Sequence, residues 1–270
     1  MVKLLLVLIF SVFCSASAKI FYTTPVKTGT HMTGKALGAI TGLHNSFTGV
    51  RVNNMHFEGA DYKEVFNRIN KMRPRHFMHG HVNYSSELES LLVNNHIVRI
   101  LVLRDPRDQV VSFAHMLLKD QKMGTSRPAL IGMDLDQVMM SLITESRIYD
   151  IWWRNIHSID EYFRSYLSWM NTPGMLVIRF EELVGSKGGG DDVVQFATMK
   201  ALSQHVGRNL SDQRIHTICK NLFGGTWSFR SGQIGSWRKY FKQEHVDAFK
   251  QVAQPLLEEL NYEVDSNWGI

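Results

Sequence analysis

The apolar positions along the chain fall into two patterns: short solid runs, and longer stretches in which they recur every three or four residues. Solid runs mark strands covered on both faces, and the three-to-four repeat marks helices with one buried side. The first run starts at Ile20 and breaks at Pro25, and the residues after Met32 (Gly34, Ala36, Leu37, Ala39, Ile40) take up helical spacing. His76 to His81 predicts a second strand, Ile97 to Leu103 a third and nearly continuous one, and Met175 to Phe180 a fourth. Helices are predicted over Tyr62–Met72, Glu87–Asn95, Gln109–Lys119, Leu135–Ile143, Glu145–Met170, Val193–Val206, Asp212–Asn221 and His245–Leu260. Polar or glycine-punctuated stretches at Gly42–Gly59, Lys122–Asp134 and Phe223–Trp237 read as loops, and Gly185–Asp192 reads as an exposed, flexible segment. Strands alternating with helices predict a single α/β domain with a central parallel β-sheet flanked by helices, and no repeat or linker divides the chain.

The N-terminus has a different pattern. Met1-Val2-Lys3 gives a positive start, Leu4 to Cys14 is apolar except for Ser11, and Ser15-Ala16-Ser17-Ala18 supplies small residues ahead of Lys19. Residues 1–18 therefore read as a cleaved secretory signal peptide, and 19–270 as the folded domain, located in the secretory pathway (a Golgi lumen) or exported. The run is short for a membrane span; an uncleaved anchor and a buried first element are the competing readings.

Composition narrows the chemistry. The 270 residues are 44% hydrophobic and 20% charged, the balance of a globular protein. A net charge of +5, from 30 basic and 25 acidic residues that are scattered along the chain, suits an anionic ligand and gives little support to nucleic-acid binding. Cys14 lies in the leader, which leaves Cys219 without an internal disulfide partner. His79 and His81 share a strand face but make a poor metal site as a pair, and no metal is expected.

Three stretches carry candidate chemistry. Lys27-Thr28-Gly29-Thr30 joins the first strand to the first helix, an arrangement that aims backbone N–H groups and a helix N-terminus at one point. It reads as an anion cradle, with an ordinary βα turn as the plain alternative. Arg104 and Ser112 stand at the end of the third strand and in the next helix, at the sheet edge where ligands bind. A guanidinium there suits a phosphate, and pairing with Asp105 or Asp108 is the structural alternative. Phe229-Arg230-Ser231-Gly232, followed by Gly235 and Trp237, offers a backbone that can lie against a ligand, or a surface turn ahead of a core tryptophan.

Taken together, in this order and spacing, the three stretches resemble the sulfotransferase family, which uses 3′-phosphoadenosine 5′-phosphosulfate (PAPS). Lys27-Thr28-Gly29-Thr30 is similar to the family's Lys-Ser-Gly-Thr loop for the 5′-phosphosulfate. The run from Arg104 to Ser112 resembles its 3′-phosphate motif, and Arg-x-Gly-x-x-Gly-x-Trp its C-terminal cofactor loop. Leu176 to Leu183 is similar to the strand usually written with Tyr-Glu-Asp. The resemblance implies a P-loop-like fold and sulfuryl transfer to an acceptor hydroxyl or amine on a small molecule, glycan or protein. Lys27 would stabilise the leaving phosphate and His81 would act as general base, with His79 as the fallback. Thr28, Gly29, Thr30, His31, Arg104, Ser112, Phe229, Arg230, Ser231 and Gly232 would complete the PAPS site. Dimerisation is common in related proteins.

The chain also departs from the family pattern. His31-Met32 stands where Thr-Trp is common, so the adenine face would pass to Phe229 or Phe180; Ser231 and His79 replace common lysines. These changes admit a second reading, a catalytically impaired PAPS- or PAP-binding module. A P-loop ATPase is disfavoured because Lys27 precedes Gly29 and no glycine stands at the Walker A position before it. The loops Gly42–Gly59 and Lys122–Asp134 are expected to frame the acceptor entrance.

Overall fold

Four strands, β1 (Ile20–Thr23), β2 (Phe77–Gly80), β3 (Val98–Leu103) and β4 (Met175–Arg179), form one parallel sheet in the order β2-β1-β3-β4. The computed structural model describes residues 19–42, 67, 71, 77–122, 130–144, 157–226 and 229–270. The expected signal peptide, the predicted helix over 62–72 apart from two isolated residues, and most of the two acceptor loops lie outside the described residues. Every side chain of β1 is buried. Phe21 joins Met78, Leu101 and Leu103 in one core, whereas Ile20 and Tyr22 join Ile100, Val102 and Ile178 in the other. Two buried faces require apolar residues at consecutive positions, which is why these strands read as solid runs.

The first core is closed by α2 (Ser86–Asn94), α3 (Pro106–Lys122), α4 (Leu135–Ile143), α5 (Ile159–Leu167) and α9 (Gln243–Glu259). The second is closed by α1 (Thr30–Thr41), the short α6 (Phe180–Leu183), α7 (Asp192–His205) and α8 (Asp212–Leu222). Side chains of Ser85, Asp134, Ser158, Asp191 and Ser211 cap the N-termini of α2, α4, α5, α7 and α8. Helix α1 starts at Gly29 with no side-chain cap. Its first N–H groups are thus left for another partner.

Two expectations are corrected. The helix predicted over Glu145–Met170 does not pass through Ser158, and its first part, 145–156, lies outside the described residues: Ser158 is extended (φ −138°, ψ 167°), its hydroxyl accepts the Glu161 N–H, and α5 begins at Ile159. The apolar repeat concealed a Ser-x-x-Glu start signal within it. The Gly185–Asp192 segment is anchored and not loose. The Gly185 carbonyl accepts from Gly188 and Gly190, Asp192 accepts from the Ser186 N–H, and Gly188 accepts from the Ile234 N–H at 2.9 Å. A Cβ on Gly188 would collide with Val184 Cβ and fall 2.8 Å from the Gly232 carbonyl, so this glycine is set by close packing against Val184 and against the loop that carries Arg230.

Parallel strands end on the same side. Thr23 pairs with Gly80 on one flank and with Leu101 on the other, so the segments after β1, β2 and β3 emerge together at one sheet edge.

Candidate active site

The turn after β1 is held from beneath. Val26 donates its N–H to the Tyr162 hydroxyl at 2.7 Å, and its carbonyl accepts from Gln109 Nε2 at 2.9 Å. Both partners are fully buried. This clamp fixes the peptide just before Lys27, which adopts φ 66°, a conformation that costs a non-glycine residue about 1 kcal/mol. Thr28 is also buried, and its hydroxyl faces inward to the Pro25 carbonyl (2.7 Å) and the Val102 carbonyl (3.2 Å). Thr28 therefore shapes the loop and does not offer its hydroxyl to a ligand. Gly29 follows at φ 116°, with Phe180 3.1 Å from where a Cβ would sit, so the position needs glycine twice over. The Thr30 hydroxyl shares a 2.6 Å hydrogen bond with Thr24, and His31 is exposed on the first turn of α1.

Gln109 and Tyr162 were not singled out by the sequence, because a clamp on a main-chain peptide carries no motif. Gln109→Leu is expected to lower kcat about tenfold to a hundredfold, since small displacements of a catalytic group are costly. Gln109 Oε1 is itself buried and unpaired, so its loss offsets part of the lost hydrogen bond and the unfolding temperature should move little. Steady-state kinetics beside thermal unfolding check this; an unchanged kcat removes the clamp from the positioning of Lys27.

The side chain of Lys27 is half-buried, and among the described residues it has no ion pair. Loss of water, then the charge of Arg104 and, more weakly, of Arg230, lowers its pKa to about 8 against the raising influence of Asp120. Lys27 is still a cation at neutral pH, but a poorly neutralised one.

His81 follows β2 on the same side. Its Nδ1 lies 2.8 Å from the Thr24 carbonyl and 3.3 Å from the Thr24 hydroxyl. A carbonyl only accepts, so Nδ1 carries the proton and Nε2 keeps its lone pair. Burial pushes its pKa down to about 4, with the charges of His31 and Lys27 adding to the fall and the Thr24 hydrogen bond opposing it. His81 is thus neutral at pH 7. His79 sits two residues earlier, inside β2, stacked on Tyr22 with ring centroids 5.0 Å apart.

Arg104 ties two loops together. One Nη donates to the Lys27 carbonyl at 3.3 Å and the other to the Gln233 carbonyl at 3.0 Å, and the guanidinium lies 4.2 Å over the Phe180 ring. Asp108 is 3.6 Å away and accepts from Gly235 N (2.8 Å), Ser236 Oγ (2.9 Å) and Trp237 N (2.9 Å). The structural alternative for Arg104, pairing with Asp108, is present, and Nε stays buried without a partner among the described residues. Ser112 is half-buried on α3, and no other described residue takes its hydroxyl. Arg230 is exposed, with Nη1 on the Tyr240 hydroxyl at 3.0 Å. Ser231 follows it, and Gly232 turns at φ 62° beneath the rings of Phe229 and Phe223. Phe229 is 39% exposed and so presents an aromatic face, whereas Phe180 is buried and Met32 is part of the core.

These features fit a nucleotide carrying two anionic ends. α1 opens without a side-chain cap beside Lys27, and Arg104 links the Lys27 loop to Gln233 in the stretch that follows Arg230. A family model described as the sulfotransferase domain matches residues 17–261. The chain belongs to the sulfotransferase family. Its donor is accordingly PAPS, and 3′,5′-adenosine bisphosphate (PAP) is the spent form. The fold is also that of solved members: a retinol dehydratase in complex with retinol and PAP (15% identity, 89% of this chain and 81% of that one, TM-score 0.58) and a mouse sulfotransferase complexed with PAP (15% identity, 89% and 84%, TM-score 0.60). A comparison with curated proteins gave no match. The central parallel sheet and single α/β domain expected from the sequence are borne out. No helix among the described residues is long and apolar enough to cross a membrane.

Proposed function

We propose that this sulfotransferase transfers the sulfuryl group of PAPS to a hydroxyl or amine of its acceptor, with His81 as general base and Lys27 at the leaving phosphate. The observation that carries this reading is the His81 tautomer. Donation from Nδ1–H to Thr24 leaves Nε2 as an acceptor at the sheet edge shared with the Lys27 loop. When bound, PAPS supplies a sulfuryl group on an activated phosphosulfate. The N–H groups that open α1, from Gly29 to Met32, hold that end, with help from the helix dipole. Lys27 stabilises the negative charge that grows on the leaving oxygen. Arg104, Ser112, Arg230, Ser231 and Gly232 hold the 3′-phosphate, and Phe229 gives adenine its apolar face. Thr28 and Thr30 act as supports for the loop.

The leader-like N-terminus favours an acceptor met in the secretory lumen or outside the cell, a glycan or a protein side chain. N-terminal sequencing of protein secreted by expressing cells should find Lys19 first. The burial of Met32 where the family commonly has Trp favours the second reading, a module that binds PAP without transfer. Calorimetry with PAP and incubation with labelled PAPS and a cell extract separate the two. Lys27→Met is expected to lower kcat about a hundredfold to a thousandfold. Absence of PAP binding to the intact protein would overturn both readings; binding with no labelled product would leave the module.

A further inference from the structure

His115 lies one turn beyond Ser112 on α3, so the two side chains share a face of that helix. Its Nε2 is buried with no hydrogen-bond partner, an uncommon state for a buried ring nitrogen. The ring meets Tyr240 edge-on at 5.0 Å, and the same Tyr240 accepts from Arg230 at 3.0 Å with the guanidinium 5.4 Å over its ring. Ser112, His115, Tyr240 and Arg230 thus form a continuous patch at the Arg230 end of the site. Among the described residues Arg230 has no carboxylate partner, so the patch carries unbalanced positive charge. The family's common lysine beside Arg230 is Ser231 in this chain, which leaves that end one fixed cation short.

We propose that His115 is a further ligand of the donor's 3′-phosphate, becoming protonated from solvent as the phosphate binds and so replacing the missing cation. The inference rests on the PAPS-site reading above. In the free protein, burial and the nearby charge of Arg230 hold the His115 pKa below its ordinary value, so the ring is neutral at pH 7. Arg230 is the charged group that acts on it; Tyr240 faces it from the segment after the third cofactor loop, and Lys119 stands one turn further along its own helix. A phosphate reverses the local field and draws a proton onto the ring. The gain in affinity is therefore complete below the free-state pKa and is lost as pH rises through the higher pKa of the bound state.

The test is calorimetry of PAP and of adenosine 5′-phosphate, which lacks the 3′-phosphate, with wild-type protein and His115→Phe, which keeps the contact with Tyr240. For PAP, the ratio of wild-type to variant affinity should be about tenfold near pH 5.5 and fall toward unity by about pH 8, as expected when a charge-assisted bond is lost. For adenosine 5′-phosphate the ratio should stay flat. Wild-type protein should also take up more protons than the variant on binding PAP, read from the dependence of the heat on buffer. Without any substitution, the ring resonances of His115 in isotope-labelled protein should show its pKa rising when PAP is added. Parallel affinity profiles for the two proteins, or a His115 ring whose titration ignores PAP, would overturn the proposal while leaving the PAPS site intact. No PAP binding at any pH would overturn both.

Discussion

Replacing His81 with asparagine should lower kcat about a hundredfold to ten-thousandfold, the range for loss of a general base, while PAP affinity stays within about twofold. The expectation follows from the proposed division of labour: the anion contacts would come from the segments after β1 and β3 and from the 230–232 loop, and His81 from the segment after β2. Asparagine can still donate to the Thr24 carbonyl, so the loss would report the missing lone pair and not a collapsed loop. The pH dependence gives a second check. In kcat/KM for PAPS, the limb that belongs to His81 should lie near its free-enzyme pKa of about 4, well below an ordinary histidine, and the fall on the alkaline side should begin near pH 8 as Lys27 loses its proton. In kcat the His81 limb should move upward, because the anionic donor then favours the charged ring. An alkaline limb that survives in Lys27→Met assigns that limb elsewhere, and full turnover in His81→Asn would exclude His81 as the base.

The other large effect is expected at Asp108. Its carboxylate is fully buried, takes three hydrogen bonds from Gly235, Ser236 and Trp237, and lies 3.6 Å from Arg104. Burial holds its pKa above the ordinary aspartate value, while Arg104 and the hydrogen bonds pull the other way, so the ionised form is sustained by these partners alone. Asp108→Ala leaves a buried guanidinium without its carboxylate and three donors unpaired. The loss should be about 3 to 5 kcal/mol, a large part of the stability of an ordinary domain. For a chain of this size it corresponds to a drop of roughly 10 °C in unfolding temperature. PAP affinity should fall as well, because the 235–237 turn that Asp108 holds anchors the loop bearing Arg230. An alanine variant that melts with the wild type would show that the three hydrogen bonds contribute nothing net.

The sheet was legible because burial on both faces writes itself as uninterrupted apolar residues: all four strands lie where the runs at Ile20, Phe77, Ile97 and Met175 put them. The three candidate stretches stood out for a related reason, since a turn that brings backbone against an anion needs glycine, a hydroxyl residue and a cation at fixed spacing. What the sequence did not carry was the direction of individual side chains. Thr28 turns its hydroxyl inward to Val102, a residue 74 positions away, and no local pattern encodes that contact. Gln109 and Tyr162 serve Val26 through its main chain, which leaves no trace in residue type. The glycines from 185 to 190 suggested looseness because glycine relaxes a chain in isolation. Here the absence of a Cβ at Gly188 is used for close packing against Val184 and the Gly232 carbonyl.

Arg107, between Arg104 and Asp108 in sequence, ties the candidate site to the C-terminal end of the chain. Its guanidinium lies between the rings of Trp237 (4.4 Å) and Trp268 (4.6 Å), and it pairs with Asp105 and with Glu263. Glu181 joins the same knot, accepting the Asp105 N–H and the Tyr262 hydroxyl. The family match ends at residue 261, just short of Tyr262, Glu263 and Trp268. A gene trimmed to the family boundary would therefore encode all three candidate PAPS stretches and omit Glu263 and Trp268, the outer partners of Arg107.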